Sequence, residues 1–160
     1  MDMVLVLLRL IHILTAVIWF GFGMTLTLYV APAAVAAGDT GFRYLKSLFL
    51  NTAFNRVIPI ASGLTTLAGI LLYIVGNAAS HFSQTGNIVL GIGAAAGLIA
   101  TIHGGALTGR ATTALGEALA KDGTPLAQLN ELAAKLLSHA RISLVLMIVA
   151  LVCMGSARYL

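Results

Sequence analysis

Long apolar stretches alternate with short polar connections along the whole chain. Four stretches, residues 3–30, 57–75, 88–108 and 142–157, come close to the roughly 20 residues a helix needs to cross a bilayer. The first is broken only by Arg9 and His12. Each is too long and too continuous for a buried strand, so each predicts a membrane-spanning helix. Pro59 falls one turn into the second span, where a missing N–H does least harm.

The connections after spans one and three carry helical patterns of their own. In residues 42–50, Phe42, Leu45, Leu48 and Phe49 recur at helical spacing with Arg43 and Lys46 between them, which predicts an amphipathic helix lying in the interface. In residues 111–138, Gly123-Thr124-Pro125 predicts a stop, an N-cap and a first-turn proline. Leu126, Leu129, Leu132, Leu136 and Leu137 then mark one face of a helix running unbroken into span four. Glu117, Asp122 and Glu131 make this connection a solvated cap. The expected fold is all-α: a polytopic membrane four-helix bundle forming one domain over residues 1–160.

Composition agrees and narrows the function. Of 160 residues, 59% are apolar, with nine Lys or Arg and five Asp or Glu, and the mean hydropathy is +1.00. Such a chain is neither disordered nor a typical soluble enzyme. A net charge of +4 supplies no stripe able to follow a phosphate backbone, so nucleic acid is not a partner. The single cysteine, Cys153, excludes an internal disulfide and a cysteine-built zinc site. Ala34-Val35-Ala36 resembles a signal-peptide cleavage site, but the Met1-Asp2-Met3 start lacks a positive region and the apolar run is too long. The first helix is therefore expected to remain uncleaved. Seven of the nine cations fall in the two connections, as Arg43, Lys46, Arg56, Arg110, Lys121, Lys135 and Arg141; only Arg9 and Arg158 lie on the other side. The positive-inside rule then places both termini outside a plasma membrane.

Candidate chemistry is scarce. The spans contain no Asp or Glu, which removes carboxylate dyads and acid-based proton wires, and no nucleotide-binding, GxSxG or HExxH motif occurs. Small residues crowd span three (Gly91, Gly93, Gly97, then Gly104, Gly105, Gly109) and recur in span two as Ser62, Gly63, Thr66 and Gly69. They suit close helix packing, within a bundle or a homodimer, and equally suit a flat prosthetic group. His12 and His103 are the ionisable groups with imidazole chemistry inside the spans; His139 stands at the inner mouth of span four and His81 in the short outer loop. Neutral imidazole ligates haem iron or copper and relays protons; it also serves as a plain interhelical hydrogen-bond partner.

On a regular helix Thr15, Ala16, Trp19 and Gly23 share the face of His12, so Trp19 is a candidate wall of a site. Around His103 the same rule selects Ala96, Ile99, Ala100, Ala106 and Arg110, and Arg110 suits a haem propionate, as Arg56 does on the same side. His12 and His103 differ in depth by about 9 Å, against a simple axial pair, whereas His103 and His139 share the inner half. Copper is the rival metal, with Met3, Cys153 and Met154 near the outer end as soft donors.

Leu8-Arg9-Leu10-Ile11-His12-Ile13-Leu14, with Trp19-Phe20-Gly21 and Ala31-Pro32-Ala33, resembles the first helix of the CopD-like superfamily. Asn55-Arg56 leading into Leu64-Thr65-Thr66-Leu67-Ala68-Gly69-Ile70-Leu71-Leu72-Tyr73 resembles the second helix of a small four-helix branch of it. The superfamily includes copper-resistance membrane proteins and HemJ-type protoporphyrinogen oxidases, which bind haem b through a first-helix histidine. The resemblance places that role on His12. The HemJ pattern also uses a lysine in helix three, where this chain has none and offers His103. The expectation is a haem b protein of electron transfer or haem-dependent redox chemistry, partnered by a quinone or a membrane redox protein. A copper-handling protein and an accessory subunit without cofactor are the alternatives.

Overall fold

The computed structural model describes residues 3–75, 82 and 84–160, and no strand occurs among them. Four helical runs are long and apolar enough to cross a membrane: Met3–Ala36, Phe54–Val75, Thr85–Ala120 and Leu126–Tyr159. The all-α, four-span expectation therefore holds, but the runs extend well past the expected ends. The reason lies in two π-helical segments.

The first run consists of α1 (Met3–Thr25), a π segment (Leu26–Val30) and α2 (Ala31–Ala36). Proline lacks the N–H an α-helix needs and crowds the carbonyl four residues back, so Pro32 would ordinarily break the helix. Instead the helix widens for one turn, with the Ala31 N–H reaching five residues back to the Leu26 carbonyl. Pro32 then enters within the first two positions of α2, where its ring is tolerated. The third run repeats the device: α5 (Thr85–His103), a π segment (Gly104–Thr108) and α6 (Gly109–Ala120), with the Gly109 N–H bonded to the Gly104 carbonyl.

Between α2 and α3 (Gly38–Asn51) the chain turns at Gly38, whose φ of +58° suits glycine. Gly41 lies directly on the Ala34 backbone, leaving no room for a side chain. At the end of α3, Asn55 donates from Nδ2 to the Phe49 carbonyl (2.9 Å), and the Phe49 and Phe54 rings stack at 5.7 Å where α4 (Phe54–Val75) begins.

The loop before α7 (Leu126–Ser156) differs from expectation in detail. Helix α6 ends at Ala120, where Lys121 turns extended, and Gly123, with φ of +79°, shapes the turn that follows rather than the helix end itself. Nor does the Thr124 hydroxyl cap α7. It donates backward to the carbonyls of Ala118 (2.7 Å) and Lys121 (3.2 Å), closing the end of α6, and Pro125 occupies the N-cap. As expected, α7 runs unbroken from cap into span.

The helices divide into two kinds of packing. At one end α3, α6 and the first turns of α7 enclose a compact apolar core with Leu45, Leu115 and Leu136 fully buried. The apolar face of α3, expected from the periodicity of residues 42–50, thus meets protein. In the spans packing is sparser. α1 pairs with α4, α5 pairs with α7, and α1 has no buried residue. Between spans three and four Gly93 does what small residues do in lipid: a Cβ there would lie 3.0 Å from Cys153 Cβ and from Met154 Cγ. The two pairs meet through a Thr66–Thr101 hydroxyl contact (2.7 Å) and through Trp19, Phe20 and Met24 against Ala100, Leu144 and Met147.

Leu115→Ala should lower the unfolding free energy in detergent by about 2–5 kcal/mol, since it opens a cavity in the core between α3, α6 and α7. Leu7→Ala, at an exposed position of α1, should stay within about 0.5 kcal/mol by the same denaturant titration.

Candidate functional site

Two clusters inside the spans bring a histidine together with hydroxyl groups, one in each helix pair. The first centres on His12 of α1. Its Nδ1 lies 2.8 Å from the Thr65 carbonyl oxygen of α4. A carbonyl can only accept, so Nδ1 carries the proton and, in the neutral ring, Nε2 holds the lone pair. The ring rests on Gly69, where a Cβ would stand 2.9 Å from its Cε1 and 3.1 Å from Nδ1. One turn along, the Thr65 and Thr15 hydroxyls meet at 2.8 Å, with Thr65 Oγ1 also 2.8 Å from the Ala61 carbonyl and Thr15 Oγ1 2.7 Å from the Ile11 carbonyl. The Thr65 carbonyl therefore fixes the ring's tautomer, and Gly69 leaves the room the ring occupies.

The second place joins α5 to α7. His103 and His139 stand with ring centres 5.6 Å apart and planes inclined at 58°. His103 Nδ1 is 2.9 Å from Ser143 Oγ, and Ser143 Oγ is 3.1 Å from Thr108 Oγ1 in the π segment. His139 and Ser143 are one turn apart on α7, so both present to the same neighbour. Nδ1 of His139 is buried and has no hydrogen-bond partner.

His12 and His103 belong to different helix pairs, so the structure does not bring them together through any direct contact, as their difference in depth implied. His103 and His139, expected to share the inner half, do meet. Trp19 packs against Ala100, Leu144 and Met147. The face of α1 that meets α4 at His12 thus meets α7 by Trp19 and Gly23, whose Cβ position lies 3.4 Å from Met147 Cε. Arg56 and Arg110 are both exposed, beside the cap. The π segment adds a residue to the turn after His103, which rotates the following residues by roughly 100°. Arg110 and Ala106 therefore do not continue the face of His103 as a regular helix would have them do.

Among the donors considered for copper, Met3 is 70% exposed at the start of α1, while Cys153 and Met154 pack against Gly93. Among the described residues no three His, Cys, Asp or Glu side chains converge as a metal-binding group. His81 lies outside the described residues. Thr65, Gly69 and Ser143 were not singled out as site residues from sequence; their only signal was polarity or smallness within an apolar run.

Comparison with known proteins leaves the chain on its own. No family model matches it, and neither a curated protein nor a solved structure does. The site must be read from its own geometry.

Gly69→Val should push the His12 ring off the Thr65 carbonyl and cost about 1–3 kcal/mol in detergent unfolding. In a His12→Ala background the same change should cost far less. A double-mutant cycle with coupling below about 0.5 kcal/mol would mean the ring does not rest on Gly69.

Proposed function

We propose that the protein is an integral membrane haem b protein, acting in electron transfer or haem-dependent redox chemistry with a quinone or a membrane redox partner. The observation that carries this reading is the state of His12. A ligating imidazole is characteristically held by a hydrogen bond from its other nitrogen, which fixes orientation and leaves a basic lone pair for the metal. His12 has this arrangement through Thr65, inside a span, where an unneeded ionisable residue is costly.

The remaining residues fit such a group. Its surroundings are apolar helix faces, and the spans hold no acid that would repel propionates or compete for the metal. Arg56, exposed at the start of α4, is the cation available to a carboxylate at the membrane edge. Trp19, on the same helix, is engaged in packing against Ala100, Leu144 and Met147. His12 would hold the iron through Nε2, and haem would supply one-electron chemistry there. The resemblance of the first two spans to the CopD-like superfamily supports the same assignment of His12. The cation bias supports both termini lying outside a plasma membrane. The copper reading draws less support, because Cys153 and Met154 are occupied in packing against span three.

The protein purified in detergent, as isolated or after reconstitution with haem, should show a Soret band and a reduced-minus-oxidised difference spectrum. His12→Ala should lose or strongly shift both. A colourless protein that carries copper, or one that takes up neither group, overturns the haem reading.

A further inference from the structure

We propose that His103 and His139 form a second site, separate from His12, that binds one transition-metal ion directly rather than through a porphyrin. Nδ1 of His139 is buried without a partner. Leaving such a nitrogen unsatisfied costs about 1–3 kcal/mol, and native interiors rarely tolerate it. Neutral imidazole is a ligand for a cation, and His103 stands across from it with ring centres 5.6 Å apart.

The spacing selects the kind of site. Two imidazole nitrogens each about 2.1 Å from one ion, at a near-tetrahedral angle, put their ring centres roughly 5–6 Å apart. Ligands on opposite faces of a haem would stand collinear with the iron, with centres about 6.5 Å apart. The observed separation of 5.6 Å fits the first arrangement, and the 58° tilt suits either. His103 also has the outer support a ligand needs: its Nδ1 is engaged by Ser143, which is itself tied to Thr108, leaving Nε2 for the metal. Thr108 reaches Ser143 from the π segment that follows His103, a distortion often found at functional sites.

Imidazole without carboxylate favours zinc, copper, nickel or ferrous iron over magnesium or calcium. With no third His, Cys, Asp or Glu converging among the described residues, the remaining coordination positions fall to water or a small exogenous ligand. The inference rests on this pair's own geometry and stands whether or not His12 carries haem.

The test is titration of the metal-stripped full chain in detergent with Co(II), read by visible absorption, and with Zn(II), read by calorimetry. One ion per chain is expected. His103→Ala and His139→Ala should each weaken binding at least about tenfold, and Ser143→Ala should weaken it about tenfold through the lost support. His12→Ala should leave it unchanged. His103→Gln and His139→Gln, which keep the side-chain bulk, replace any alanine variant that fails to fold by circular dichroism. The proposal is overturned if the folded protein binds no ion saturably, if binding survives the loss of either histidine, or if it depends on His12. A missing Soret band with Zn(II) binding intact would sink the haem reading alone.

Discussion

In hydrocarbon no water is available to satisfy a polar group, so each N–H, C=O and hydroxyl within a span must find its partner in the protein. The helices obey this at the places where sequence would break them. The first run passes Pro32 by widening into a π turn rather than ending, and the third continues through three glycines by the same means. Hydroxyls are absorbed locally: Thr15, Thr65 and Thr101 each bond a carbonyl four residues back. All three also meet a hydroxyl of a neighbouring helix, Thr65 with Thr15 and Thr101 with Thr66. These contacts, with the glycine-mediated approach at Gly93, hold spans that bury little.

The cap shows what changes once water is present. There burial of apolar surface is worth about 25 cal/mol per Å², so Phe42, Leu45, Leu115 and Leu136 form a dense core between short helices. Within lipid that driving force vanishes, and α1 keeps its leucines and isoleucines on the outside. The Lys46–Asp122 pair at 3.2 Å joins α3 to the loop before α7, but Asp122 is fully exposed and solvent screening leaves it a minor tie.

Run length alone revealed the four spans, because nothing else demands so many consecutive apolar residues. Their ends were illegible, since Pro32 and the run of glycines after His103 normally mark a break and the π turn that avoids one has no sequence signature. The periodicity of residues 42–50 identified the buried face of α3 without revealing what covers it. Small residues likewise announced close approach but not its object. At Gly93 the object is span four, whereas at Gly69 it is the ring of His12 itself. The His12–Thr65 contact links residues 53 apart, and no local pattern encodes such a pairing. The meeting of His103 with His139 was accessible from depth alone, because both fall toward the same end of neighbouring spans.

Threonine and histidine differ in a way that bears on function. A helical threonine can satisfy its hydroxyl with a carbonyl of its own helix and needs nothing further. An imidazole projects too far for that bond and carries two nitrogens, so each intramembrane histidine is committed to a second helix, a ligand, or both. His12 meets half of that need at Thr65, and His103 meets half at Ser143. His139 leaves a buried nitrogen unmet. In a span region without acids, these unfilled imidazole positions are where a group from outside the chain gains the most by binding.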